Sequence, residues 1–176
     1  MTTSLSKNYA EALFSIGNEL DILSKLQEEM KQIKEIVIEN NEIISLLCSS
    51  FVLSEEKENF IDKIFKDFDE NIIALLKIVN KNHRMKYLLE VIEAFNSMCN
   101  EKKGILEGLV YSVTLLEKEK ILEIEKKISS LEKVPCELKN LIDSHLIGGI
   151  KVVINGHVYD GSVQNKIESL RESLNK

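Results

Sequence analysis

The spacing of apolar residues predicts that the first part of the chain is helical. From Leu5 onward these residues recur every three or four positions, which is the spacing of one face of an α-helix. A second stripe on the same helix contains Ala10, Phe14 and the small residue Gly17, so another helix could approach it closely. The first helix therefore has two apolar faces to bury. The first stripe consists of Leu5, Tyr9, Ala12, Leu13, Ile16 and Leu20.

Five further helices are predicted before Gly104 from the same periodicity and from signals at helix ends. Asp21 is a candidate cap for the second helix, Ser54 for the fourth and Asp69 for the fifth, because short polar side chains accept hydrogen bonds from the first N–H groups of a helix. The sixth helix is expected to end at Gly104. The fifth is apolar around most of its circumference, through Ile72, Ile73, Leu75, Leu76, Ile78 and Val79.

The pattern changes in the last third of the chain. After Gly108 apolar residues alternate with others as far as Leu115, which predicts a strand. The stripe within residues 117–131 predicts a helix, which Pro135 prevents from continuing, and residues 136–142 are a candidate second strand. A strand, a helix and a strand in this order predict a right-handed parallel crossover.

The clearest local signal is Asn155-Gly156, which stands between two short apolar runs. It predicts a two-residue hairpin turn with positive φ angles, and in that register Lys151 faces Asp160. Ser162 is placed to cap a final helix. The apolar stripe of that helix consists of Val163, Ile167, Leu170 and Leu174.

These elements predict a mainly α fold in two parts. Residues 1–104 form a six-helix bundle, and residues 105–176 form a small α/β domain with a β-hairpin and a terminal helix. The chain has 176 residues, of which 44% are hydrophobic, enough to build a core, and one Pro with seven Gly leaves little to interrupt long helices.

The charge distribution narrows the range of functions. The formal net charge is −6, and no basic stripe could neutralise a row of phosphates, so nucleic acid and anionic lipid are not expected as partners. No stretch approaches the roughly 20 apolar residues of a membrane span. Cys48, Cys99 and Cys136 are odd in number and lack CxxC spacing, which favours reduced, buried thiols.

The sequence contains no recognisable catalytic, cofactor or metal motif. Gly148-Gly149 lacks the third glycine, the lysine and the hydroxyl of a phosphate-binding loop, so the pair is interpreted as a tight turn. His83, His145 and His157 lie on separate elements without metal-binding spacing. No serine or cysteine lies in a nucleophile motif. We therefore expect no catalytic residue, no cofactor and no metal.

The first and fifth helices remain unusual because both carry more apolar surface than one core face requires. Two interpretations are open. Both helices could be ordinary core helices, or together they could form a groove that accepts an amphipathic helix from a partner protein.

The chain resembles the delta subunit of bacterial F-type ATP synthases, a relative of the mitochondrial oligomycin-sensitivity-conferring protein, nearly from end to end. The resemblance rests on the order and spacing of several segments. His83 departs from the family, which often has glycine there. The segments are Tyr9-Ala10-Glu11-Ala12-Leu13-Phe14, Leu75 to Leu88 with Asn82 and Arg84, Ile147-Gly148-Gly149, and Asp160-Gly161-Ser162-Val163.

The resemblance implies a non-catalytic stator subunit, peripheral on the cytoplasmic face of the bacterial plasma membrane and held there only through the complex. The six-helix domain would hold the N-terminal helix of an α subunit between its first and fifth helices. The C-terminal part would contact the peripheral-stalk b subunit, so that the catalytic head resists rotor torque during ATP synthesis. The alternative is a free-standing helical adaptor for another amphipathic helix. The implied groove residues are Tyr9, Ala12, Leu13, Ile16, Leu75, Ile78 and Val79.

Overall fold

The computed structural model describes residues 4–174 of the chain, and side chains as far as Arg171. It divides into two compact units, one ending at Cys99 and the other beginning at Asn100. The helices before the sheet are α1 (Ser4–Glu19), α2 (Leu23–Glu39), α3 (Asn41–Cys48), α4 (Ser54–Ile64), α5 (Glu70–Lys81) and α6 (Leu88–Lys103), with a 3₁₀ turn at Met85–Tyr87. The remaining elements are β1 (Leu106–Ser112), α7 (Lys118–Glu132), β2 (Cys136–Ile142), β3 (Ile150–Ile154), β4 (His157–Asp160) and α8 (Val163–Leu174).

The fold is mainly helical, with a small mixed four-stranded sheet toward the C-terminus, as the periodicity predicted. Gly104 directly follows α6, in agreement with the predicted helix end. No helix within residues 4–174 is both long enough and apolar enough to cross a membrane.

The first unit is organised around one hydrophobic core to which each of its helices contributes. Burial of these side chains removes apolar surface from water, which is the main favourable term in folding. The largest fully buried side chains are Phe65, Phe95, Leu13, Leu26, Met30, Ile33, Ile61, Ile72, Leu76, Met85, Leu88 and Ile92.

The helix starts only partly follow the predicted caps. Oδ1 of Asp69 accepts a hydrogen bond from the Asn71 N–H at 3.0 Å, so the cap of α5 is confirmed. The prediction for Asp21 is wrong, because this residue has φ +56° in the turn and α2 begins at Leu23.

Ser54 is likewise not the cap of α4 but its first residue. The preceding residue is Leu53, whose N–H donates to Oε2 of Glu56 at 3.2 Å. The glutamate of the first turn therefore reaches back to the residue before the helix, which is half of a capping box.

The second unit is a four-stranded sheet in the order β2-β1-β3-β4. β1 and β2 are parallel and α7 connects them, which confirms the predicted parallel crossover, while β1–β3 and β3–β4 are antiparallel. Ile121, Ile124 and Ile128 of α7 pack on the core side of this sheet. The buried core residues of this unit are Val110, Ile128, Leu138, Val152 and Ile154.

β1 has the predicted length but lies three residues earlier than predicted, because it runs from Leu106 to Ser112 rather than from Leu109 to Leu115. The hydroxyl of Ser112 donates to the Thr114 carbonyl oxygen at 2.7 Å, and the side chain of Asn140 donates to the Ser112 hydroxyl and accepts from the Leu116 N–H. After Ser112 these side-chain hydrogen bonds take the place of the backbone hydrogen bonds between strands, and the chain turns toward α7.

The β3–β4 hairpin has the predicted turn. Asn155 has φ 48° and Gly156 has φ 77°, the two positive angles of a type I′ turn, and Lys151 pairs with Asp160. Gly149 has φ +82°, and a Cβ built on it would lie 2.4 Å from the Gly161 carbonyl oxygen. This close approach explains the glycine at 149 without a ligand.

The three cysteines are free thiols, but their burial differs. Cys99 is buried and Cys136 is half-buried, whereas Cys48 at the end of α3 is exposed. The prediction of buried thiols is therefore wrong for Cys48, because it lies off the buried face that Ile43 and Leu47 form on this helix.

Candidate functional site

Helix α1 has one buried face and one exposed apolar face. Ser6, Ala10, Leu13 and Gly17 are buried, and these positions repeat every three or four residues toward the core. The predicted first stripe lies mostly on the other side. Its exposed members are Leu5, Ala12, Ile16 and Leu20, of which Ile16 retains 38% of its accessible surface.

Helix α5 packs against α1 and adds to this surface. Ala74 and Ile78, one helical turn apart, are exposed, and Ile78 retains 51% of its accessible surface. Leu75 and Val79 of the same helix are buried. We call the exposed residues Ala12, Ile16, Ala74 and Ile78, with half-buried Tyr9, the α1–α5 surface.

The predicted groove residues thus separate into two groups. Leu13, Leu75 and Val79 are buried in the core of the first unit. Tyr9 is half-buried, and Ala12, Ile16 and Ile78 are open to solvent. The periodicity identified the two helices, but it did not separate core positions from exposed ones because both stripes are apolar.

A polar cluster joins Tyr9 to the end of α5. The Tyr9 hydroxyl oxygen accepts hydrogen bonds from Asn82 Nδ2 at 2.9 Å and from Arg84 Nη1 at 3.1 Å. The Arg84 guanidinium carbon also lies 5.9 Å from the centroid of the Tyr9 ring, which allows a cation–π interaction. The resemblance included all three residues, but no periodicity could show that they meet, because Asn82 and Arg84 lie more than 70 positions from Tyr9.

The turn after α5 places Arg84 in this cluster. The Arg84 N–H donates to the Val79 carbonyl oxygen at 3.0 Å, and the His83 N–H donates to the Asn80 carbonyl oxygen at 2.8 Å. With His83 at φ +56°, this is the hydrogen-bond pattern of a Schellman motif. The motif stops the helix and turns the next residue back toward α1.

The other end of α5 is held by charged residues of α2. Lys25 Nζ lies 2.9 Å from Asp69 Oδ2, and Glu29 Oε2 accepts a hydrogen bond from the Asp69 N–H at 2.7 Å. Desolvation raises the pKa of Asp69, but the hydrogen bonds from Lys25 and Asn71 outweigh it and hold the pKa below its ordinary value. Asp69 is therefore an ionised cap at neutral pH, and it fixes where α5 begins.

The second unit has its own exposed apolar side chains. Helix α8 exposes Val163, Ile167 and Leu170, the last with 63% of its accessible surface, while the side chain of the fourth predicted stripe residue, Leu174, lies outside the described residues. Ser162 Oγ accepts a hydrogen bond from the Asn165 N–H at 3.2 Å, which confirms the predicted cap.

A hydrogen-bonded cluster fastens the hairpin to α7. Glu132 Oε1 accepts from the Tyr159 hydroxyl at 2.7 Å and lies 2.7 Å from His157 Nδ1, and the Glu132 side chain is only 6% exposed. Hydrogen bonds from His157 and then Tyr159 lower the pKa of Glu132, and the bond to Glu132 raises the pKa of Tyr159. Because Glu132, His157 and Tyr159 bond to one another within the second unit, we interpret the cluster as one that stabilises the packing of the hairpin on α7.

The described residues contain no group of three or more His, Cys, Asp or Glu side chains that could hold a metal ion. A shallow depression of about 630 Å³ lies beside Cys136, between α7 and β2. The Cys136 thiol accepts a hydrogen bond from the Ser129 hydroxyl and donates one to the Glu125 carbonyl oxygen, both at 3.2 Å. The features that suggest binding of another protein are the exposed apolar side chains of the α1–α5 surface and of α8.

A family model and the curated relatives agree on one family, and a solved structure shares the fold. A family model described as "ATP synthase delta (OSCP) subunit" matches residues 5–174. The ATP synthase subunit delta of Bacillus cereus and that of Bacillus mycoides are each 32% identical to this chain over 173 residues, which is 98% of this chain and 96% of each relative. A chain in the "Cryo-EM structure of Toxoplasma gondii mitochondrial ATP synthase hexamer, composite model" has a similar fold, with a TM-score of 0.71, 18% identity and 99% of both chains covered.

Proposed function

Because the chain belongs to the ATP synthase delta (OSCP) subunit family, we propose that its first unit binds the N-terminal helix of the α subunit and its second unit binds the peripheral-stalk b subunit. It is a non-catalytic stator component of the ATP synthase. The family assignment decides against the alternative of a free-standing adaptor.

The observation that carries the first contact is the α1–α5 surface. Ala12, Ile16 and Ile78 expose apolar side chains on two helices that pack together, and an amphipathic helix buries its own apolar stripe on such a surface. Leu13, Leu75 and Val79 lie beneath and fix the positions of the exposed residues. In this proposal the six helices of residues 1–104 act as one bundle that holds the catalytic head.

Apolar burial suits the mechanical task of a stator. Each Å² of apolar surface removed from water contributes roughly 25 cal/mol, and small residues such as Ala12 and Ala74 let a third helix come close. Such a contact needs no covalent chemistry. It transmits force between head and stalk while the rotor turns.

The second contact is proposed for residues 105–176. The apolar stripe of α8, formed by Val163, Ile167 and Leu170, is exposed along the described part of the helix. Its spacing of four and then three residues is that of a helix seam. A stalk built of b-subunit helices would bury this stripe, and the chain would then be peripheral on the cytoplasmic face of a bacterial plasma membrane, held there only by its partners.

Binding of a peptide that copies the N-terminal helix of the α subunit from the same ATP synthase tests the first contact. The substitution Ala12→Asp places a charge that would lose its hydration under the bound helix, so we expect the peptide affinity to fall at least tenfold, about 1.4 kcal/mol. Ser15→Asp adds the same charge to an exposed position of α1 outside the apolar stripe, about 60° around the helix from Ala12, so it should lower the affinity much less.

Isothermal titration calorimetry measures both variants, and circular dichroism shows whether each remains helical. Failure of the unmodified chain to bind the peptide at high micromolar concentration would refute the first contact. Equal affinities for Ala12→Asp and Ser15→Asp would move the binding site away from α1.

A further inference from the structure

The Tyr9 hydroxyl has an unused hydrogen. Its oxygen accepts from Asn82 Nδ2 and from Arg84 Nη1, and a phenolic oxygen has two lone pairs for such bonds. Both acceptor sites are therefore occupied, and the O–H group is left to donate. Within the described residues this O–H group donates no hydrogen bond.

The Arg84 guanidinium also has N–H groups that donate no hydrogen bond within the described residues. The guanidinium carries five N–H groups, and the bond to Tyr9 is the side-chain contact that this group makes among the described residues. The carbonyl groups of Ile78, Val79 and Asn80 at the end of α5 accept hydrogen bonds from the backbone N–H groups of residues 82–84. Within the described residues, the side chains of Arg84 and Tyr9 donate no hydrogen bond to these carbonyl groups.

The surrounding sequence is basic, although the chain as a whole is acidic. Between Glu70 and Glu90 there is no acidic residue, and four lysine and arginine residues lie there: Lys77, Lys81, Arg84 and Lys86. Lys77 is paired with Asp62 at 2.7 Å, and Lys86 lies over the ring of Tyr87. The positive charge of Arg84 at the end of the α1–α5 surface thus has no carboxylate partner in the described chain.

We propose that Tyr9, Asn82 and Arg84 form a polar end to the α1–α5 surface, which receives an acidic side chain of the bound α-subunit helix. The Tyr9 O–H and a guanidinium N–H of Arg84 donate to the two carboxylate oxygens, and Asn82 holds the Tyr9 ring in place. The apolar surface supplies area, and this polar end sets the position of the bound helix along the groove. The inference rests on the proposed function of the first unit.

A double-mutant cycle tests this pairing. Each acidic residue of the α-subunit N-terminal peptide is replaced in turn by its amide, and each peptide is titrated against the unmodified chain, Tyr9→Phe and Arg84→Gln. For one peptide position we expect about a tenfold loss of affinity on the unmodified chain and almost no further loss on either variant. Tyr9→Phe removes only the hydroxyl, so the apolar contact of the ring is kept.

Matched controls separate this pairing from general charge effects. Lys81→Gln removes one exposed cation from the same segment, and Tyr87→Phe removes one hydroxyl from a half-buried tyrosine nearby. On both control variants, the amide substitution in the peptide should still lower the affinity about tenfold, as it does on the unmodified chain. Thermal unfolding of Tyr9→Phe and Arg84→Gln confirms that both remain folded.

The outcomes distinguish this inference from the proposed function. If the unmodified chain does not bind the α-subunit peptide, the proposed function fails, and the inference fails with it. If the peptide binds but the losses from amide substitution and from Arg84→Gln simply add at every acidic position, only the inference is overturned. Coupling of Lys81→Gln equal to that of Arg84→Gln would also overturn it, because the effect would then be one of net charge.

Discussion

Lys25 and Asp69 join α2 to the N-terminus of α5, with Lys25 Nζ 2.9 Å from Asp69 Oδ2. The same carboxylate caps α5 through Oδ1, and the Lys25 side chain is 57% exposed. An ion pair made by such an exposed lysine contributes little to stability by itself. The cap and the ion pair share one carboxylate, however, so a single substitution removes both.

The first prediction concerns this carboxylate. Asp69→Ala should lower the free energy of unfolding of the first unit by about 1–2 kcal/mol, because it removes the cap of α5. Asp67→Ala, an exposed aspartate two residues earlier, is the control and should change it by less than about 0.5 kcal/mol. Urea denaturation followed by circular dichroism gives both values. Equal effects of the two substitutions would contradict a special role for Asp69.

The ionisation of Asp69 adds a pH dependence. Its folded pKa lies below its ordinary value, so its charge stabilises the folded state above the unfolded pKa, and this contribution is lost as the pH falls through the folded pKa. Asp69→Asn keeps a capping side chain and removes the charge. The stability difference between Asp69→Asn and the unmodified chain should therefore shrink in acid, and a difference that stays constant would argue against the charge.

The second prediction concerns the turn that carries Arg84. His83 adopts φ +56°, which costs a residue with a Cβ about 1 kcal/mol relative to glycine. His83→Gly should therefore raise the free energy of unfolding by about 0.5–1 kcal/mol and leave the Tyr9–Arg84 contact in place. His145→Gly, in an exposed turn without positive φ, should not stabilise the chain. Destabilisation by His83→Gly would mean that the imidazole makes a contribution larger than the backbone cost.

How far the fold follows from the sequence depends on the distance over which each signal acts. Asn155-Gly156 specified the hairpin, and Asp69 and Ser162 were identified as caps, because each signal lies within a few residues of the group it controls. Asp21 was misread because a positive φ at a non-glycine residue leaves no mark on the apolar pattern.

The candidate site shows the same limit. Periodicity found α1 and α5, but burial of Leu13 and exposure of Ile16 depend on how whole helices pack. The bonds from Asn82 and Arg84 to Tyr9 depend on a tertiary contact between distant segments. The sequence therefore indicated the two helices of the proposed binding surface, and the structure was needed to place the polar end of that surface.

The third prediction concerns Gly149. An alanine Cβ there would lie 2.4 Å from the Gly161 carbonyl oxygen and 2.9 Å from Ser162 Cα, both backbone atoms that cannot rotate away. Gly149→Ala should destabilise the second unit by more than about 2 kcal/mol, through strain at positive φ and the steric clash. Gly156→Ala also has positive φ but meets no atom within 4 Å, so its cost should be about 1 kcal/mol. Equal unfolding free energies for the two variants, measured in urea, would contradict the clash.

The fourth prediction concerns the proposed stalk contact of the second unit. Ile167 lies in the middle of the exposed apolar stripe of α8, so Ile167→Asp should weaken binding of a C-terminal fragment of the b subunit at least tenfold, with little change in unfolding free energy. Gln164→Asp adds the same charge to a neighbouring exposed face of α8 and serves as the control. Surface plasmon resonance with the full chain measures both affinities. If Ile167→Asp binds the fragment as well as Gln164→Asp does, the stalk contact lies elsewhere on the second unit.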